Sequence, residues 1–82
     1  MYLTAACPFC RSAEQLLEEK GVRDIERVRV DLEPGRRAEM MRKSGRHTVP
    51  QIWIGSRHVG GCDELYALER QGALEPLLQE AS

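Results

Sequence analysis

The sequence predicts an α/β fold in which a mixed four-stranded sheet packs against helices, in the order β-α-β-α-β-β-α with a short C-terminal helix. Segments of alternating apolar and polar residues, typical of strands, are separated by segments with the three-to-four-residue apolar spacing of helices. Gly or Pro stands at most of the boundaries. A chain of 82 residues is expected to form one small domain, residues 1–82.

The first elements are a short strand and a helix. Residues 1–4 are mostly apolar, as at the end of a strand. The chain then turns into a helix with Cys7 at its N-cap and Pro8 at its first position, where the missing N–H of proline costs nothing. Gly21 is expected to end this helix. Its buried stripe is predicted to consist of Ala13, Leu16 and Leu17.

A second strand and a basic helix follow. The alternating apolar positions of this strand are Val28, Val30 and Leu32. Because a helix joins the first two strands, we expect them to be parallel, with a right-handed connection. Pro34 and Gly35 end the strand, and the basic helix runs to about Ser44, where Gly45 stops it.

The C-terminal half predicts an antiparallel hairpin and two helices. The hairpin makes the sheet mixed, because its two strands are sequential and joined by a tight turn. The predicted elements are a strand over 51–54, a turn at 55–56, a strand over 57–59, a helix over about 62–71 closed by Gly72, and a last helix over 74–80.

Charge and hydropathy narrow the class of protein. The formal net charge is −1, which argues against a nucleic-acid-binding protein. No apolar run approaches the ~20 residues that cross a bilayer, and no signal-peptide pattern is visible. Three cysteines, an odd number, fit reduced intracellular thiols better than a disulfide-stapled secreted fold. We therefore expect a cytoplasmic protein without a nucleic-acid or membrane partner.

The sequence ACPFC places Cys7 and Cys10 three positions apart. Such a pair serves as a redox couple, as a static disulfide or as half of a metal site. A static disulfide fits poorly with reduced intracellular thiols. A metal site needs about four ligands, and the remaining candidates, Cys62, His47 and His58, include no second Cys-X-X-Cys pair. The position of the pair after a strand and at the start of a helix favours the redox couple, with no metal.

The two cysteines are predicted to have different roles. A thiol at a helix N-terminus faces the positive end of the helix dipole and free N–H groups, which both favour the thiolate. In Cys-X-X-Cys motifs these effects lower a thiol pKa from ~8.5 to ~3.5–7.5. We therefore predict that Cys7, expected to be exposed, is the nucleophile. Cys10, within the first turn, is predicted to resolve the mixed disulfide that forms on Cys7.

Three motifs together resemble a dithiol (class I) glutaredoxin: ACPFC at 6–10, TVPQIWIG at 48–55 and GGCDEL at 60–65. The likeness to small bacterial glutaredoxins covers nearly the whole chain. It implies a thioredoxin-like fold and a glutathione-dependent oxidoreductase that reduces protein disulfides and protein–glutathione mixed disulfides. Glutathione is then the reductant and co-substrate. The implied partners are disulfide-containing or glutathionylated proteins, with ribonucleotide reductase as one client, and we expect a monomer.

The resemblance also implies a glutathione site, beginning at the cysteines. Phe9 stands where a tyrosine is more often found and keeps an aromatic wall without the hydroxyl. Thr48, Val49 and Pro50 match a loop in which the proline is cis and faces the cysteines. The backbone of Val49 then pairs with the extended peptide of glutathione, as an added strand would.

The far end of the implied site is the start of the helix at 62. Gly61, Cys62 and Asp63 match positions whose backbone N–H groups hold the γ-glutamyl carboxylate, with the Asp63 carboxylate near the ligand's ammonium. Asp63 as a plain helix cap is an alternative compatible with that role. Arg37 resembles a contact to the glycine carboxylate. Thr4 replaces a lysine that many relatives use for the same carboxylate, which leaves more of that contact to Arg37.

Three other functions stay open at this point. A glutaredoxin-like redoxin reduced by thioredoxin reductase would use the same chemistry without a glutathione site. An iron–sulfur carrier would bridge two subunits through Cys7 and glutathione, although Pro8 and Cys10 are unusual in such carriers. A peptide-binding domain on the same fold would tolerate loss of Cys7.

Overall fold

Eight elements follow one another in a computed structural model that describes residues 1–81. Their order is the predicted one, with four short strands and four helices. They are β1 (Tyr2–Leu3), α1 (Pro8–Glu19), β2 (Val28–Arg29), α2 (Pro34–Ser44), β3 (Ile52–Ile54), β4 (Arg57–Gly60), α3 (Cys62–Arg70) and α4 (Leu74–Ala81).

The four strands form two ladders that one residue pair joins. β1 pairs with β2 in parallel, with Tyr2 opposite Val28, and β3 pairs antiparallel with β4. Tyr2 and Gln51 then exchange two backbone hydrogen bonds, of 2.9 and 3.1 Å, across an antiparallel bridge. The order across the strands is therefore β2-β1-β3-β4, which confirms the mixed arrangement, although the central junction is a single pair.

Local residue chemistry explains the ends of the helices. Cys7 is the N-cap of α1 and Pro8 is its first residue, as predicted. Gly21, with φ of +87°, follows the C-cap of this helix. Gly45 ends α2 in the left-handed conformation, with φ of +71°, and its N–H bonds to the carbonyl of Met41. Glycine adopts this conformation without the steric cost of a Cβ.

The prediction for the second strand was too long. β2 comprises only Val28–Arg29, and Leu32 is 67% exposed. The N–H groups of Leu32 and Glu33 both bond to the carbonyl of Arg29, at 3.3 and 3.2 Å, so the chain turns there and leaves the sheet. Val30 is buried against Tyr2 and Met40, although it lies in this turn. The alternation of apolar and polar residues therefore extends beyond the end of the strand, into the turn that follows it.

The core is divided into three clusters. The largest lies between α1, α3, α4 and the hairpin, and it includes Leu16, Ile52, Leu65 and Leu74. A second cluster packs Met40 of α2 against Tyr2. The third consists of Leu3, Cys7 and Cys10, with Met1 and Val49 packed against it. The two cysteines therefore lie where β1 and the first turn of α1 meet, at one edge of the core.

Glu39 on α2 receives three polar partners. The guanidinium of Arg36 lies 2.8 Å from its carboxylate, the hydroxyl of Tyr2 donates to it at 2.9 Å, and the ammonium of Lys43 lies at 3.2 Å. Led by Arg36, these groups lower the pKa of Glu39 from an ordinary value of 4.5 to about 2. The ionised carboxylate is thus favoured in the folded protein over the unfolded chain.

This shift predicts a pH-dependent contribution to stability. A depressed carboxyl pKa stabilises the fold above pH 4.5, and the gain is lost as the pH falls towards 2. We therefore expect Glu39→Gln to lower the urea midpoint at pH 7 and to differ less from the wild type at pH 3. Glu18→Gln, an exposed carboxylate of α1, serves as the control. An equal loss at both pH values would contradict the prediction.

Candidate active site

Cys7 and Cys10 form a disulfide at the start of α1, with their Cα atoms 5.2 Å apart. The backbone N–H of Cys10 also donates to the Sγ of Cys7 at 3.1 Å. This is the usual N-cap bond from the third helical residue, and the three-residue spacing of the cysteines dictates it. The same N–H is placed to stabilise a thiolate on Cys7 once the disulfide is reduced.

Cys7 is less accessible than the sequence predicted. The expectation of an exposed nucleophile was wrong, because the residue is only 7% exposed, and Cys10 is 1% exposed. The loop before β3 covers the disulfide, and the Sγ of Cys7 lies 4.0 Å from the carbonyl oxygen of Val49. Phe9, between the two cysteines, is 63% exposed. The pair is therefore largely shielded from solvent.

The loop that faces the cysteines has the predicted cis bond between Val49 and Pro50. Thr48 is exposed, Val49 is half-buried and Pro50 is buried. The guanidinium of Arg37 donates to the carbonyl oxygen of His47 at 3.2 Å. Arg37 of α2 therefore lies beside the His47 end of this loop.

The start of α3 forms the third side of the site, after the cysteine pair and the cis-proline loop. Gly61 is the N-cap, so Cys62 and Asp63 are the first two helical residues, whose N–H groups have no partner within the helix. Glu64, rather than Asp63, supplies the side-chain cap, because its carboxylate accepts the N–H of Gly61 at 2.6 Å. A glutamate three residues after the N-cap is the sequence signal of this bond, and the expectation of Asp63 as the cap overlooked it.

Cys62 is buried, with 8% of its surface exposed. Its burial, together with the nearby carboxylates of Asp63 and Glu64, raises the pKa of the thiol. Cys62 therefore stays protonated at neutral pH and is a poor nucleophile.

An ion pair that the sequence did not predict crosses the site. The guanidinium of Arg46 lies 2.8 Å from the carboxylate of Glu64. A Cβ on Gly60 would lie 2.5 Å from Glu64 and 2.9 Å from Arg46, and the φ of Gly60 is +119°. The ion pair and the backbone conformation thus account for glycine at this position. Gly61 is explained by the loop, because its Cβ would lie 3.3 Å from the Pro50 carbonyl.

A cavity of about 130 Å³ lies between these segments, and we call it the site groove. It is lined by Phe9, Arg46, Thr48, Val49, Pro50, Gly61, Cys62, Asp63 and Glu64. The groove therefore brings together every predicted glutathione-contacting residue except Arg37, which lies next to its loop wall. It adds the two charged residues of the unpredicted ion pair. Cys7 and Cys10 are not in the lining of the groove, but Val49, which packs against them, is. The two cysteines are also absent from the lining of a larger cavity, of about 1060 Å³.

Residues 1–81 contain neither a cluster of metal-ligating side chains nor a helix that could span a membrane. Within this range, no group of three or more His, Cys, Asp or Glu side chains is arranged to hold a metal ion. None of the helices that the structure describes has the length and apolar character needed to cross a membrane.

A dithiol pair at a helix N-terminus, facing a cis-proline loop on a mixed sheet, defines a thiol–disulfide oxidoreductase with a thioredoxin-like fold. The protein-family model for glutaredoxin matches residues 1–59. The chain is 58% identical over 78 residues to a glutaredoxin of Pseudomonas aeruginosa, covering 95% of this chain and 92% of that protein. The chain therefore belongs to the glutaredoxin family, as the three motifs predicted.

Two further comparisons agree with this assignment. Glutaredoxin 3 of Escherichia coli K12 is 47% identical over 79 residues, covering 96% of this chain and 94% of that protein. The crystal structure of a buckwheat glutaredoxin–glutathione complex superposes with a TM-score of 0.90 at 30% identity, covering 98% of this chain and 74% of that one. The predicted thioredoxin-like fold is thereby confirmed.

Proposed function

We propose that residues 1–82 act as one glutathione-dependent thiol–disulfide oxidoreductase. Its substrates are protein–glutathione mixed disulfides and protein disulfides, and ribonucleotide reductase is one proposed client. We further propose that it works as a cytoplasmic monomer. The observation that carries the proposal is the contact of the Cys7–Cys10 disulfide with Val49, in the same loop that lines the site groove.

The proposed reaction consists of thiol–disulfide exchanges. The Cys7 thiolate attacks the glutathione sulfur of a mixed disulfide, and the protein thiolate leaves and takes up a proton. A second glutathione thiolate then attacks the glutathione sulfur on Cys7, which releases glutathione disulfide and regenerates the Cys7 thiolate. With a protein disulfide, Cys10 attacks the mixed disulfide on Cys7 and leaves the Cys7–Cys10 disulfide. Two glutathione molecules reduce it, since glutaredoxin potentials near −200 to −230 mV allow this.

The groove supports a binding mode for glutathione that extends from Cys7 to α3. In this mode the backbone of Val49 pairs with the cysteine of glutathione, and the 4.0 Å distance from the Val49 carbonyl oxygen to the Cys7 sulfur supports the pairing. The N–H groups of Cys62 and Asp63 lie at an end of the groove that favours a carboxylate. Phe9 forms the exposed aromatic wall. The buckwheat protein, which is solved with glutathione, lends this mode support through its similar fold.

The charges of the groove near the start of α3 also suit the γ-glutamyl end of glutathione. Glu64 is paired with Arg46 and with the N–H of Gly61, so its charge is largely neutralised. Asp63 is exposed and is the remaining carboxylate of the groove lining. One uncompensated carboxylate beside free helix N–H groups matches an amino acid head group, which carries an ammonium and a carboxylate.

The direct test is glutathione-dependent reduction of a small glutathione mixed disulfide, with glutathione reductase and NADPH recycling the product. We expect activity in the wild type. Arg37→Gln is expected to raise the KM for the mixed disulfide by up to about five-fold, as an exposed charge contact predicts, with kcat unchanged. Arg42→Gln, on the same helix and also exposed, is the matched control.

The outcomes separate the alternatives. A wild type that is inactive with glutathione but active with thioredoxin reductase would instead support the redoxin function. An equal rise in KM in the Arg37 and Arg42 variants would contradict a specific contact by Arg37. Visible colour from a bound cluster, without reductase activity, would support the iron–sulfur carrier.

A further inference from the structure

Gln51 is a fully buried polar residue whose side chain faces the loop before β3. It is 0% exposed, and its backbone forms the bridge to Tyr2. Its side-chain Nε2 donates to the carbonyl oxygen of Thr48 at 3.0 Å and lies 3.3 Å from the Thr48 hydroxyl. Its Oε1 lies 2.8 Å from Nε2 of His58 on β4. A hydrogen-bond network thus runs from His58 through the buried Gln51 amide to Thr48.

The donors and acceptors of this hydrogen-bond network have only one consistent arrangement. The Thr48 carbonyl accepts only, so the Gln51 amide must turn its NH2 group towards it. Oε1 of Gln51 then faces His58, which must carry its proton on Nε2 to donate. The His58 ring is held against Trp53, with 4.5 Å between the ring centroids. The Thr48 carbonyl and the His58 N–H therefore fix the Gln51 amide from its two sides, and the amide in turn holds the Thr48 carbonyl.

Fixing that carbonyl also fixes the N–H of Val49. The peptide bond between Thr48 and Val49 is trans, and a planar trans peptide points its C=O and N–H in opposite directions. Because the C=O turns inward to Gln51, the N–H of Val49 turns away from the interior, on the stretch that lines the site groove. No group within residues 1–81 accepts a hydrogen bond from this N–H.

We propose that Gln51 and His58 are positioning residues that hold the Val49 N–H ready for the backbone of the bound peptide. The peptide is glutathione or an extended segment of a protein client, so the inference rests on the proposed function. Neither residue is in the lining of the groove. Their effect on the reaction therefore acts through the orientation of one peptide plane.

Gln51→Met tests this, because it removes both polar groups of the Gln51 amide and keeps a side chain of similar volume. We expect the KM for the glutathione mixed disulfide to rise about five-fold, the value of one hydrogen bond, with kcat changed less than about two-fold. His58→Leu should raise KM in the same way, whereas His58→Gln, which keeps an N–H donor at a similar reach, should restore most of the wild-type KM. Ile54→Val, a mild buried change in the same hairpin, is the control for lost stability.

A second measurement does not depend on glutathione. The residual dipolar coupling of the Val49 N–H in the free protein reports the orientation of that bond. We expect it to change in Gln51→Met and to stay at the wild-type value in Ile54→Val and His58→Gln. An unchanged coupling in Gln51→Met would overturn the inference, as would a rise in KM that Ile54→Val reproduces. A wild type inactive with glutathione would instead count against the proposed function, while the coupling still tests the positioning.

Discussion

Cys7→Ser is expected to lose at least about a thousand-fold in the reduction of glutathione mixed disulfides, because a serine hydroxyl does not form the required anion at neutral pH. The structure distinguishes Cys7 from the other two thiols. Its Sγ accepts the N–H of Cys10 and lies beside Val49 of the groove. Cys62 is buried with a raised thiol pKa, so it does not substitute for Cys7. The measurement is the rate of the coupled glutathione reductase assay.

Cys10→Ser is the matched variant, since it makes the same atomic change three residues away. We expect it to retain the reduction of glutathione mixed disulfides within about ten-fold, because that route needs only Cys7 and a second glutathione. It should lose the reduction of protein disulfides, which requires the resolving thiol. The reverse pattern, with Cys10→Ser inactive and Cys7→Ser active on mixed disulfides, would exchange the two roles.

Local chemistry made much of the fold predictable. The cap at Cys7, the proline after it and the left-handed Gly45 depend on residues within a few positions of one another, so their signals lie in short stretches. The hairpin of β3 and β4 is equally local. The cis bond before Pro50 and the thioredoxin-like fold came instead from the resemblance of three motifs, because physical propensity alone favours a trans bond.

The features that could not be predicted from the sequence depend on contacts between distant segments. The burial of Cys7 arises from Val49, 42 positions away. The ion pair of Arg46 and Glu64 spans 18 positions, and neither residue carries a local sign of its partner. Leu32 kept the alternation of a strand, but backbone bonds to Arg29 turned the chain out of the sheet. The spacing of residue types along the sequence does not predict contacts between such distant residues.

Gln51 shows how far a pattern can mislead about a polar residue. It occupies the start of an apolar strand segment, where a glutamine is usually read as facing solvent. It is buried because Thr48 and His58 satisfy its amide completely, which removes the usual cost of burying a polar group. Thr48 is a near neighbour in sequence, but the match with His58 appears only once the hairpin has formed.

Leu65→Ala is expected to destabilise the fold by about 2–5 kcal/mol, the cost of deleting a fully buried leucine side chain and leaving a cavity. Leu65 is 0% exposed and lies in α3, within the main core cluster that includes Leu16 of α1 and Ile52 of β3. Small domains are stable by only about 5–15 kcal/mol, so this one change removes a large fraction. Urea unfolding, extrapolated to zero denaturant, measures it.

Leu32→Ala provides the matched control, since the chemical change is the same at a side chain that is 67% exposed. We expect it to alter the free energy of unfolding by no more than about 0.5 kcal/mol. Similar losses in both variants would mean that α3 does not pack its Leu65 face into the core. Because α3 also carries the first-turn N–H groups of the groove, the Leu65→Ala protein that stays folded should additionally bind substrate more weakly. Leu32→Ala, in the turn after β2, should keep the wild-type KM.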